Sequence, residues 1–441
     1  MAEQIAKDAQ KAANVLKTLS NNVRTAALKA VHDALRDRKD AVLEANKRDL
    51  ADAREAQLSD ALIRRLDLAS GDKYDAMLQG VLDVAALPDP VGKTTMARQL
   101  DDGLNLYRVT APVGVLLVIF EARPEVIANI AALAIKSGNA AILKGGKESA
   151  HTFAAMSKAI SDVLSNPTLK VPHNAVQLVS TREQVADLLK QDSYIDLVVP
   201  RGSNELVKNI KASTSIPVLG HADGICSIYV HSDADIEMAS RIAVDAKTNY
   251  PAGCNAVETL LIDEKLLKDN NGDGAVKVLD ALALAQVTIK ASDDIIAAVS
   301  GRVPSLVPAQ PADFDTEFLG LTIAVKSVAS EEAAIEHINE HGSHHTDAII
   351  TSSQTAADKF LKGVSSAGVY WNASTRFADG FRYGFGTEVG VSTNKIHARG
   401  PVGLDGLMCY QYYIKGSGQI AGDYLGAGGD KQFKHQDLPL K

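Results

Sequence analysis

The sequence predicts an α/β protein with two doubly wound, Rossmann-like domains and a small β-hairpin oligomerisation element. Short apolar runs alternate with helical stretches from about residue 104 onward, and a second series of the same kind begins near Asp235. Such alternation is typical of parallel sheets covered by helices. Two further stretches, in which polar and apolar residues alternate, predict the hairpin element.

The first part of the chain is predicted to form successive amphipathic helices. Residues 6–68 are rich in Ala, Leu, Lys, Arg and Asp at helical spacing and contain neither Gly nor Pro. Most of these residue types favour helices, whereas Gly and Pro oppose them. A helical lead-in therefore precedes the first sheet.

The first α/β series contains one well-marked helix, over residues 126–136. Pro124 suits a first helical position, and Gly138 can close the C-terminus because glycine accepts a left-handed backbone. The predicted strands of this series are 113–120, 140–144, 176–180 and 197–200.

The second series alternates helices and strands in the same way. Its predicted helices are 236–247, 276–284 and 331–340, and its predicted strands are 257–262, 321–328 and 347–351. The alternating stretches 104–110 and 408–415 predict two half-exposed antiparallel strands. We expect these two strands to pair and to form a subunit contact in a homo-oligomer.

Composition excludes several classes of protein. The chain has 441 residues, and 46 Lys and Arg against 54 Asp and Glu give a net charge of -8. This balance argues against a general binder of nucleic acid or of anionic membranes. The N-terminus lacks the features of a signal peptide and no apolar run reaches membrane-spanning length, so we expect a cytoplasmic protein.

Two glycine-containing patterns resemble nucleotide-binding motifs without meeting their requirements. Gly92-Lys93-Thr94 resembles the end of a Walker A loop, but Leu87 stands where that motif needs glycine. Residues 416–421 fit the dinucleotide fingerprint, yet too little chain follows to build the required βαβ unit.

Two other segments raise the question of a metal. Residues 269–280 approach the pattern of a calcium loop, but Asp280 stands where a bidentate Glu is expected, and a polar turn before a helix is favoured. His341, His344 and His345 offer ligands, although a solvated loop after a helix is favoured there. We therefore predict no metal site.

One of the three cysteines has a context suited to chemistry. Cys226 and Cys409 lie in strand-like segments, where a thiol usually behaves as a small core residue. Cys254 follows Asn249-Tyr-Pro-Ala-Gly253 in an irregular segment before an apolar strand, so its thiol can face a cleft. From the residues alone, a nucleophile and a buried structural cysteine both remain open.

Four segments resemble the gamma-glutamyl phosphate reductase family, a branch of the aldehyde dehydrogenase superfamily. The Tyr-Pro-Ala-Gly-Cys-Asn-Ala-Val-Glu-Thr-Leu-Leu segment at 250–261 is similar to that family's nucleophile motif. Segments 118–126, 142–149 and 334–349 are similar to its other signatures and occur in the expected order. The resemblance spans nearly the whole chain.

The resemblance implies a fold of the aldehyde dehydrogenase type and a particular reaction. NADPH would reduce L-glutamate 5-phosphate to L-glutamate 5-semialdehyde and phosphate through a thioester on Cys254, in the second step of proline biosynthesis from glutamate. A glutamate 5-kinase would supply the labile acyl phosphate, and this chain looks like the free-standing reductase. The alternatives are an aldehyde dehydrogenase acting on another acyl phosphate or aldehyde, and a catalytically silent scaffold protein.

The resemblance also implies a division of labour along the chain. Residues 1–103 and 112–230 would form the NADPH-binding domain with its N-terminal helices, and residues 231–400 the catalytic domain. Residues 104–111 and 401–441 would form the oligomerisation strands and tail.

Two departures from the wider superfamily concern the chemistry. Arg123 appears where that superfamily has an oxyanion-binding Asn, so its guanidinium would bind the departing phosphate or the developing charge. A surface residue at a helix start is the alternative for Arg123. The segment Ile216–His221 carries no carboxylate to activate water, which favours reduction over hydrolysis.

The resemblance implies a set of cofactor-binding residues. The loop after strand 140–144 would receive the adenosine ribose or the 2′-phosphate of NADPH, and the alternative is a basic β-turn. The superfamily acid that holds the nicotinamide ribose corresponds to Glu317. The cofactor candidates are Lys144, Gly145, Gly146, Lys147 and Glu317.

Substrate-binding candidates lie near the C-terminal end of the catalytic domain. The substrate carries a carboxylate, an amine and a phosphate, so its pocket should contain cations and hydroxyls. Ordinary loop polarity explains any one of these side chains equally well. The candidates are Asn372, Ser374, Thr375, Arg376, Arg382, His397 and Arg399.

Overall fold

The computed structural model describes residues 1–121, 123–221, 223–424 and 429–440. Its helices are α1 (Ala2–Leu16), α2 (Asn21–Asp37), α3 (Lys39–Glu55), α4 (Asp60–Leu66), α5 (Lys73–Ala86), α6 (Val126–Ser137), α7 (Ala150–Leu164), α8 (Arg182–Leu188), α9 (Asn204–Ser213), α10 (Ile236–Thr248), α11 (Glu264–Lys268), α12 (Asp273–Leu284), α13 (Asp293–Val299), α14 (Glu331–His341) and α15 (Gln354–Gly363).

Among the described residues, seventeen strands form the sheets. They are β1 (Thr94–Asp101), β2 (Leu104–Pro112), β3 (Val115–Phe120), β4 (Ala140–Lys144), β5 (Val176–Val179), β6 (Leu197–Arg201), β7 (Cys226–Val230), β8 (Val257–Asp263), β9 (Thr288–Ala291), β10 (Val307–Pro308), β11 (Thr322–Val328), β12 (Thr346–Ile350), β13 (Gly368–Trp371), β14 (Gly390–Ser392), β15 (Gly400–Val402), β16 (Met408–Lys415) and β17 (Gln436–Asp437).

The first parallel sheet has the strand order β5-β4-β3-β6. Its central strand β3 is buried along its whole length, as expected for a parallel strand covered on both faces. Helix α6 is apolar on nearly all sides because it lies inside the core, and it ends where Gly138 adopts a φ of 75°. Pro124 precedes this helix rather than opening it, since the helix starts at Val126.

The second parallel sheet has the order β10-β9-β11-β8-β7-β12-β13. Two apolar clusters pack around it. One joins residues of α10 and α12 to the sheet, and the other contains residues of α14 and α15. The predicted alternation of helices and strands is thus confirmed in both parallel sheets.

A four-stranded antiparallel sheet, β16-β2-β1-β17, completes the main architecture. Strand β16 pairs with β2 from Met408↔Pro112 to Lys415↔Asn105, which confirms the predicted pairing of these two segments. Beyond these strands, β14 and β15 form a short antiparallel pair. In the part of the chain that the structure describes, no helix combines the length and apolar character needed to span a bilayer.

Opposite ends of the two parallel sheets supply residues to one cleft. The first sheet contributes residues at or just after the carboxyl ends of its strands, as with Lys144 of β4 and Arg201 of β6. The second sheet contributes residues just before the amino ends, as with Cys254 before β8. Residues distant in sequence therefore meet between the sheets.

The segment 269–280, which approaches the pattern of a calcium loop, forms a turn followed by a helix. Residues 269–272 make a short 3-10 turn, and α12 begins at Asp273, so Asp280 lies inside a helix. Arg302 forms an ion pair with Asp273. This is the polar turn before a helix that the sequence favours.

Asp347 in β12 gives a prediction for the pH dependence of stability. Its carboxylate is fully buried and accepts hydrogen bonds from the Ser227 N–H (2.6 Å) and the Ser366 hydroxyl, and burial raises its pKa to about 7. Because this pKa is higher in the folded than in the unfolded state, the protonated carboxyl group stabilises the fold. Its contribution to the free energy of unfolding is complete below about pH 4 and is lost as pH rises through about 7. The free energy of unfolding of wild type is therefore expected to fall by a few kcal/mol across this interval. Asp347→Asn is expected to lack this fall.

The measurement is urea unfolding of wild type and Asp347→Asn across that pH range. The difference between the two proteins isolates Asp347 from the other carboxyl groups. Parallel pH profiles for the two proteins would contradict the prediction.

Candidate active site

A large cleft lies between the two parallel sheets and has a volume of about 1670 Å³. Its lining includes Lys144 from the first half of the chain and Cys254, Arg376 and Arg382 from the second. The cleft therefore brings candidates from both halves of the chain to one space.

Cys254 lies on a firmly held loop between α10 and β8. The loop turns at Tyr250, which has a φ of 63°. Asn255 anchors the loop twice, because its Nδ2 donates to the Ala378 carbonyl (2.8 Å) and its own carbonyl accepts from the Thr375 hydroxyl (2.7 Å). The Cys254 thiol is half-buried and lines the cleft.

The other two thiols occupy different environments. Cys226 is buried in β7, its Sγ donates to the Cys254 carbonyl (3.3 Å), and burial raises its pKa well above the usual range. Cys409 in β16 donates to the Pro112 carbonyl (3.4 Å), and burial raises its pKa as well. Because raised pKa values disfavour the thiolate, these two cysteines are poor nucleophiles.

Two histidines that the sequence did not single out as partners lie beside Cys254. A ring nitrogen of His221, a ring nitrogen of His345 and the Cys254 Sγ all lie within 4.8 Å of one another. His341, by contrast, pairs with Asp315 (2.9 Å), and its ring centroid lies 4.4 Å from that of His337, so His341 and His345 have different partners.

Several arginines line the cleft that contains the Cys254 thiol. Arg123 lines the cleft, as do Arg201, Arg376 and Arg382. Arg201 was missed in the sequence because it closes a buried strand and belongs to no motif identified there. The nearest carboxylate to its guanidinium is Glu388 at 3.9 Å, and no hydrogen bond of the guanidinium is found among the described residues.

Burial shifts the pKa values of this arginine and of its neighbour Glu388 in opposite directions. Burial lowers the pKa of Arg201, with Glu388 acting in the opposite direction. Burial likewise raises the pKa of Glu388, whose carboxylate also accepts a hydrogen bond from the Gly380 N–H (2.9 Å). Arg201 thus offers most of its hydrogen-bonding capacity to the cleft.

Three of the cofactor candidates line the cleft: Lys144, Gly146 and Lys147. Burial lowers the pKa of Lys144. Gly145 is not in the lining; a Cβ there would overlap the ring of Phe153, so its role is close packing of the loop on α7.

Glu317 lies in the cleft beside the cysteine loop. A Cβ at Gly224 would come within 2.6 Å of the Glu317 Oε1 and would also overlap the Cys254 backbone, so only glycine fits between them. Burial raises the pKa of Glu317. This places an acid close to the backbone of Cys254.

The substrate candidates separate into two groups. Arg376 and Arg382 line the cleft, and the Arg382 Nη1 donates to the Arg376 carbonyl (2.7 Å). The other five bond within the protein and are not in the described lining. Asn372 bonds to the Thr351 backbone, Ser374 caps the Arg376 N–H, Thr375 donates to Asn255, His397 bonds to the Gly406 carbonyl, and Arg399 donates to Thr393 and Ser365.

A buried ion pair joins the two ends of the loop that carries Cys254. Lys247 and Glu258 stand before and after the loop, their side chains are fully buried, and their charged groups are 2.5 Å apart. Glu258 also accepts a hydrogen bond from the Leu319 N–H (3.4 Å), two residues beyond Glu317. The pair therefore ties the cysteine loop to the Glu317 loop.

The two parallel sheets with a cysteine in the cleft between them define a member of the aldehyde dehydrogenase family. The sequence model described as "Aldehyde dehydrogenase family" matches residues 1–275. The fold resembles that of an acetylating aldehyde dehydrogenase from Geobacillus thermoglucosidasius, with a TM-score of 0.63 over 95% of this chain and 97% of that one at 17% identity.

More similar relatives narrow the class. A gamma-glutamyl phosphate reductase from Saccharomyces cerevisiae is 60% identical, and the match covers 100% of this chain and 98% of that protein. The crystal structure of a gamma-glutamyl phosphate reductase from Thermotoga maritima has a TM-score of 0.89 at 34% identity, covering 95% of this chain and 99% of that one. This chain belongs to the gamma-glutamyl phosphate reductase family, which confirms the resemblance found in the sequence.

Proposed function

We propose that this protein reduces L-glutamate 5-phosphate to L-glutamate 5-semialdehyde and phosphate with NADPH, the second step of proline biosynthesis from glutamate. The observation that carries the proposal is the half-buried Cys254 thiol in a cleft lined by arginines, in a chain of this family. Residues 1–103 and 112–230 would hold the cofactor, and residues 231–400 would carry the nucleophile.

The first chemical step is acyl transfer to Cys254. A thiolate is strongly nucleophilic, and phosphate is a good leaving group, so attack on the acyl carbon forms a thioester and releases phosphate. The anchored loop holds the sulfur in one position, because Asn255 fixes the backbone next to it. Preorganisation of this kind lowers the entropy that must be lost in the transition state.

The arginines account for recognition of an anionic substrate. Arg201 is partly buried and its guanidinium has no hydrogen-bond acceptor among the described residues, so it gains by meeting a phosphate, which accepts two parallel hydrogen bonds. Arg123 lies close enough to lower the pKa of Arg201, and we propose that the two hold the leaving phosphate together. Arg376 and Arg382 remain for the carboxylate of the substrate.

The polar substrate candidates that form hydrogen bonds within the protein would hold the substrate-binding loops in place. Thr375 and Ser374 shape the loop that carries Arg376, and Asn372 holds that loop to β12. His397 and Arg399 would support the adjoining segment in the same way.

NADPH supplies a hydride to the thioester when it is bound in the cleft. The fit of the site rests on Glu317 for the nicotinamide ribose, on Gly146, where a Cβ would overlap the Glu148 side chain, and on Lys144 and Lys147 for the adenosine end. The oxyanion that reduction leaves on the thioester carbon would be stabilised by the Cys254 N–H and by a nearby cation. Collapse of this thiohemiacetal releases the aldehyde and restores the thiolate.

The choice of NADPH over NADH is expected to depend on Arg182. This residue opens α8 on the cleft wall and is close enough to Lys144 to influence its pKa. A phosphate bound by Arg182 and the two lysines would gain charge-assisted hydrogen bonds that NADH cannot make. Arg182→Gln is expected to raise KM for NADPH about tenfold while leaving KM for NADH unchanged.

The matched control is Lys190→Gln, which removes a cation just beyond α8 that is absent from the cleft lining. Initial rates with each cofactor give both KM values. An equal rise in KM for the two cofactors would contradict a role in recognising the 2′-phosphate.

The oligomerisation strands would bring two copies of this chain together. Strand β16 pairs only with β2 among the described strands, and Tyr412 and Ile414 on one of its faces are 63% and 62% exposed. Exposed apolar edge strands tend to pair with another chain. The double variant Tyr412→Glu and Ile414→Glu is therefore expected to sediment as a single chain of 46.7 kDa, whereas the control Val15→Glu on α1 should sediment like wild type.

The function is tested by running the reaction in reverse. With L-glutamate 5-semialdehyde and NADP⁺, reduction of NADP⁺ is expected to require phosphate. Other aldehydes of similar length, without the amino acid group, serve as controls for substrate choice. Equal rates with these aldehydes would favour an enzyme acting on a different substrate, and absence of any turnover would favour a scaffold protein.

A further inference from the structure

Three reactive side chains meet at one edge of the second parallel sheet. His221 precedes β7, Cys254 precedes β8 and His345 precedes β12, and these strands are adjacent in the order β8-β7-β12. The two imidazole rings are perpendicular, with centroids 5.0 Å apart. The sheet therefore fixes the thiol and both imidazoles relative to one another.

His221 is arranged as a proton acceptor. Its Nδ1 lies 3.1 Å from the Val391 carbonyl, which can only accept, so Nδ1 carries the hydrogen and Nε2 keeps its lone pair. Burial lowers the pKa of His221, with Glu317 and Glu388 opposing this effect and Arg201 adding to it. The ring is therefore neutral near neutral pH.

His345 has a nitrogen that the protein leaves unsatisfied. The residue is 1% exposed, its Nδ1 contacts the Thr346 hydroxyl (2.9 Å), and its Nε2 is buried without a hydrogen-bond partner among the described residues. An unmade buried hydrogen bond costs about 1–3 kcal/mol. A partner that forms a hydrogen bond only during the reaction accounts for this cost, and the Cys254 Sγ lies within 4.8 Å of a His345 ring nitrogen.

We propose that His221 and His345 act as a pair on Cys254, with His221 taking the thiol proton and His345 holding the sulfur as it reacts. This inference rests on the proposed function for the identity of the acyl donor. The 4.8 Å limit on the separations is longer than a hydrogen bond, and catalytic hydrogen bonds are often long before substrate binds.

The proton and the electrons balance across the acylation step. The His221 Nε2 accepts the proton, the sulfur lone pair forms the bond to the acyl carbon, and the bond from that carbon to the phosphate oxygen breaks. The proton then passes from the imidazolium to the departing phosphate. Nothing is oxidised or reduced in this step, and His221 returns to its neutral form.

The test measures the reactivity of the sulfur without substrate or cofactor. Iodoacetamide alkylates thiolates, and the mass of the peptide that carries Cys254 distinguishes it from Cys226 and Cys409. Near neutral pH, His221→Gln and His345→Gln are each expected to slow alkylation of Cys254 about tenfold. The double variant should be little slower than either single variant, because residues that act as a unit are not additive.

The matched control is His341→Gln, a histidine of the same segment that pairs with Asp315 away from the sulfur. It should alkylate at the wild-type rate. Thermal unfolding and NADP⁺ binding verify that each variant is folded, and His345→Asn or His221→Asn replaces any variant that is not.

Alkylation at the wild-type rate in either single variant would overturn the proposal that the two histidines act as a pair on Cys254. Because the assay uses no acyl phosphate, an error in the proposed substrate leaves its result unchanged. Conversely, slower alkylation in both variants supports the pair whichever acyl donor the enzyme uses.

Discussion

Replacing Cys254 by serine is expected to lower kcat by about 10⁴-fold or more. A hydroxyl is a far weaker nucleophile than a thiolate, and an oxygen ester accepts hydride less readily than a thioester. Binding of NADP⁺ should be unchanged, because the substitution removes no group that would hold the cofactor. The measurements are phosphate-dependent NADP⁺ reduction and a binding titration.

The control for this substitution is Cys409→Ser. That thiol lies in β16 and bonds to the Pro112 carbonyl, an interaction that a serine hydroxyl retains. Its kcat should equal that of wild type. Activity within tenfold of wild type in Cys254→Ser would be incompatible with a covalent route through this residue.

Replacing Lys247 by methionine is expected to lower the free energy of unfolding by about 3–5 kcal/mol, because it leaves the Glu258 carboxylate buried without its partner. The pair is fully buried, with its charged groups 2.5 Å apart. Burial lowers the pKa of Lys247 and raises that of Glu258 to about 7, and each partner opposes the shift of the other. Urea unfolding measures the loss.

Two controls separate this effect from ordinary loss of charge. Lys268→Met breaks the exposed pair with Glu264 and should cost less than about 1 kcal/mol. The double variant Lys247→Met and Glu258→Leu should recover most of the lost stability, since apolar replacement of both partners leaves no buried charge. A double variant as unstable as Lys247→Met would contradict the explanation.

Loss of the Lys247–Glu258 pair is also expected to weaken cofactor binding. Glu258 holds the Leu319 N–H, and Leu319 lies two residues from Glu317. Loss of the pair should therefore raise KM for NADPH in any variant that still folds. Stability and cofactor binding are thus expected to fall together at this position.

Regular elements were the most predictable part of the fold. The apolar periodicity of residues 126–136 located α6 to within one residue, and the alternation in 408–415 matched β16. The short strands β10, β14 and β15 were not predicted. Strands of two or three residues carry too little periodicity to be distinguished from loops, and only tertiary contacts define them.

Side chains embedded in motifs were predictable, and isolated ones were not. Cys254 and Lys144 lie in segments that resemble family signatures, and the structure places both side chains in the cleft. Arg201 reaches the same cleft from a segment that matches no motif, and His221 from a segment in which the sequence indicated only a missing carboxylate. Their proximity arises because carboxyl ends of one sheet face amino ends of the other, a relation that the sequence does not display.

Clustering along the chain was a weaker guide to the substrate site. Arg376 and Arg382 reach the cleft, whereas Thr375 points to the backbone of Asn255. Neighbours in an irregular loop point in different directions, so a polar stretch supplies both binding groups and the hydrogen bonds that hold the loop in place. Sequence composition cannot separate these two roles.

The central claim is a thioester on Cys254, and it is tested by omitting phosphate from the reverse reaction. With L-glutamate 5-semialdehyde and NADP⁺ alone, we expect one NADPH per active site, followed by a stop, with a glutamyl group on the peptide that carries Cys254. Adding phosphate should remove the adduct and restore turnover. Full turnover without phosphate, or a burst with no adduct on Cys254, would contradict the account.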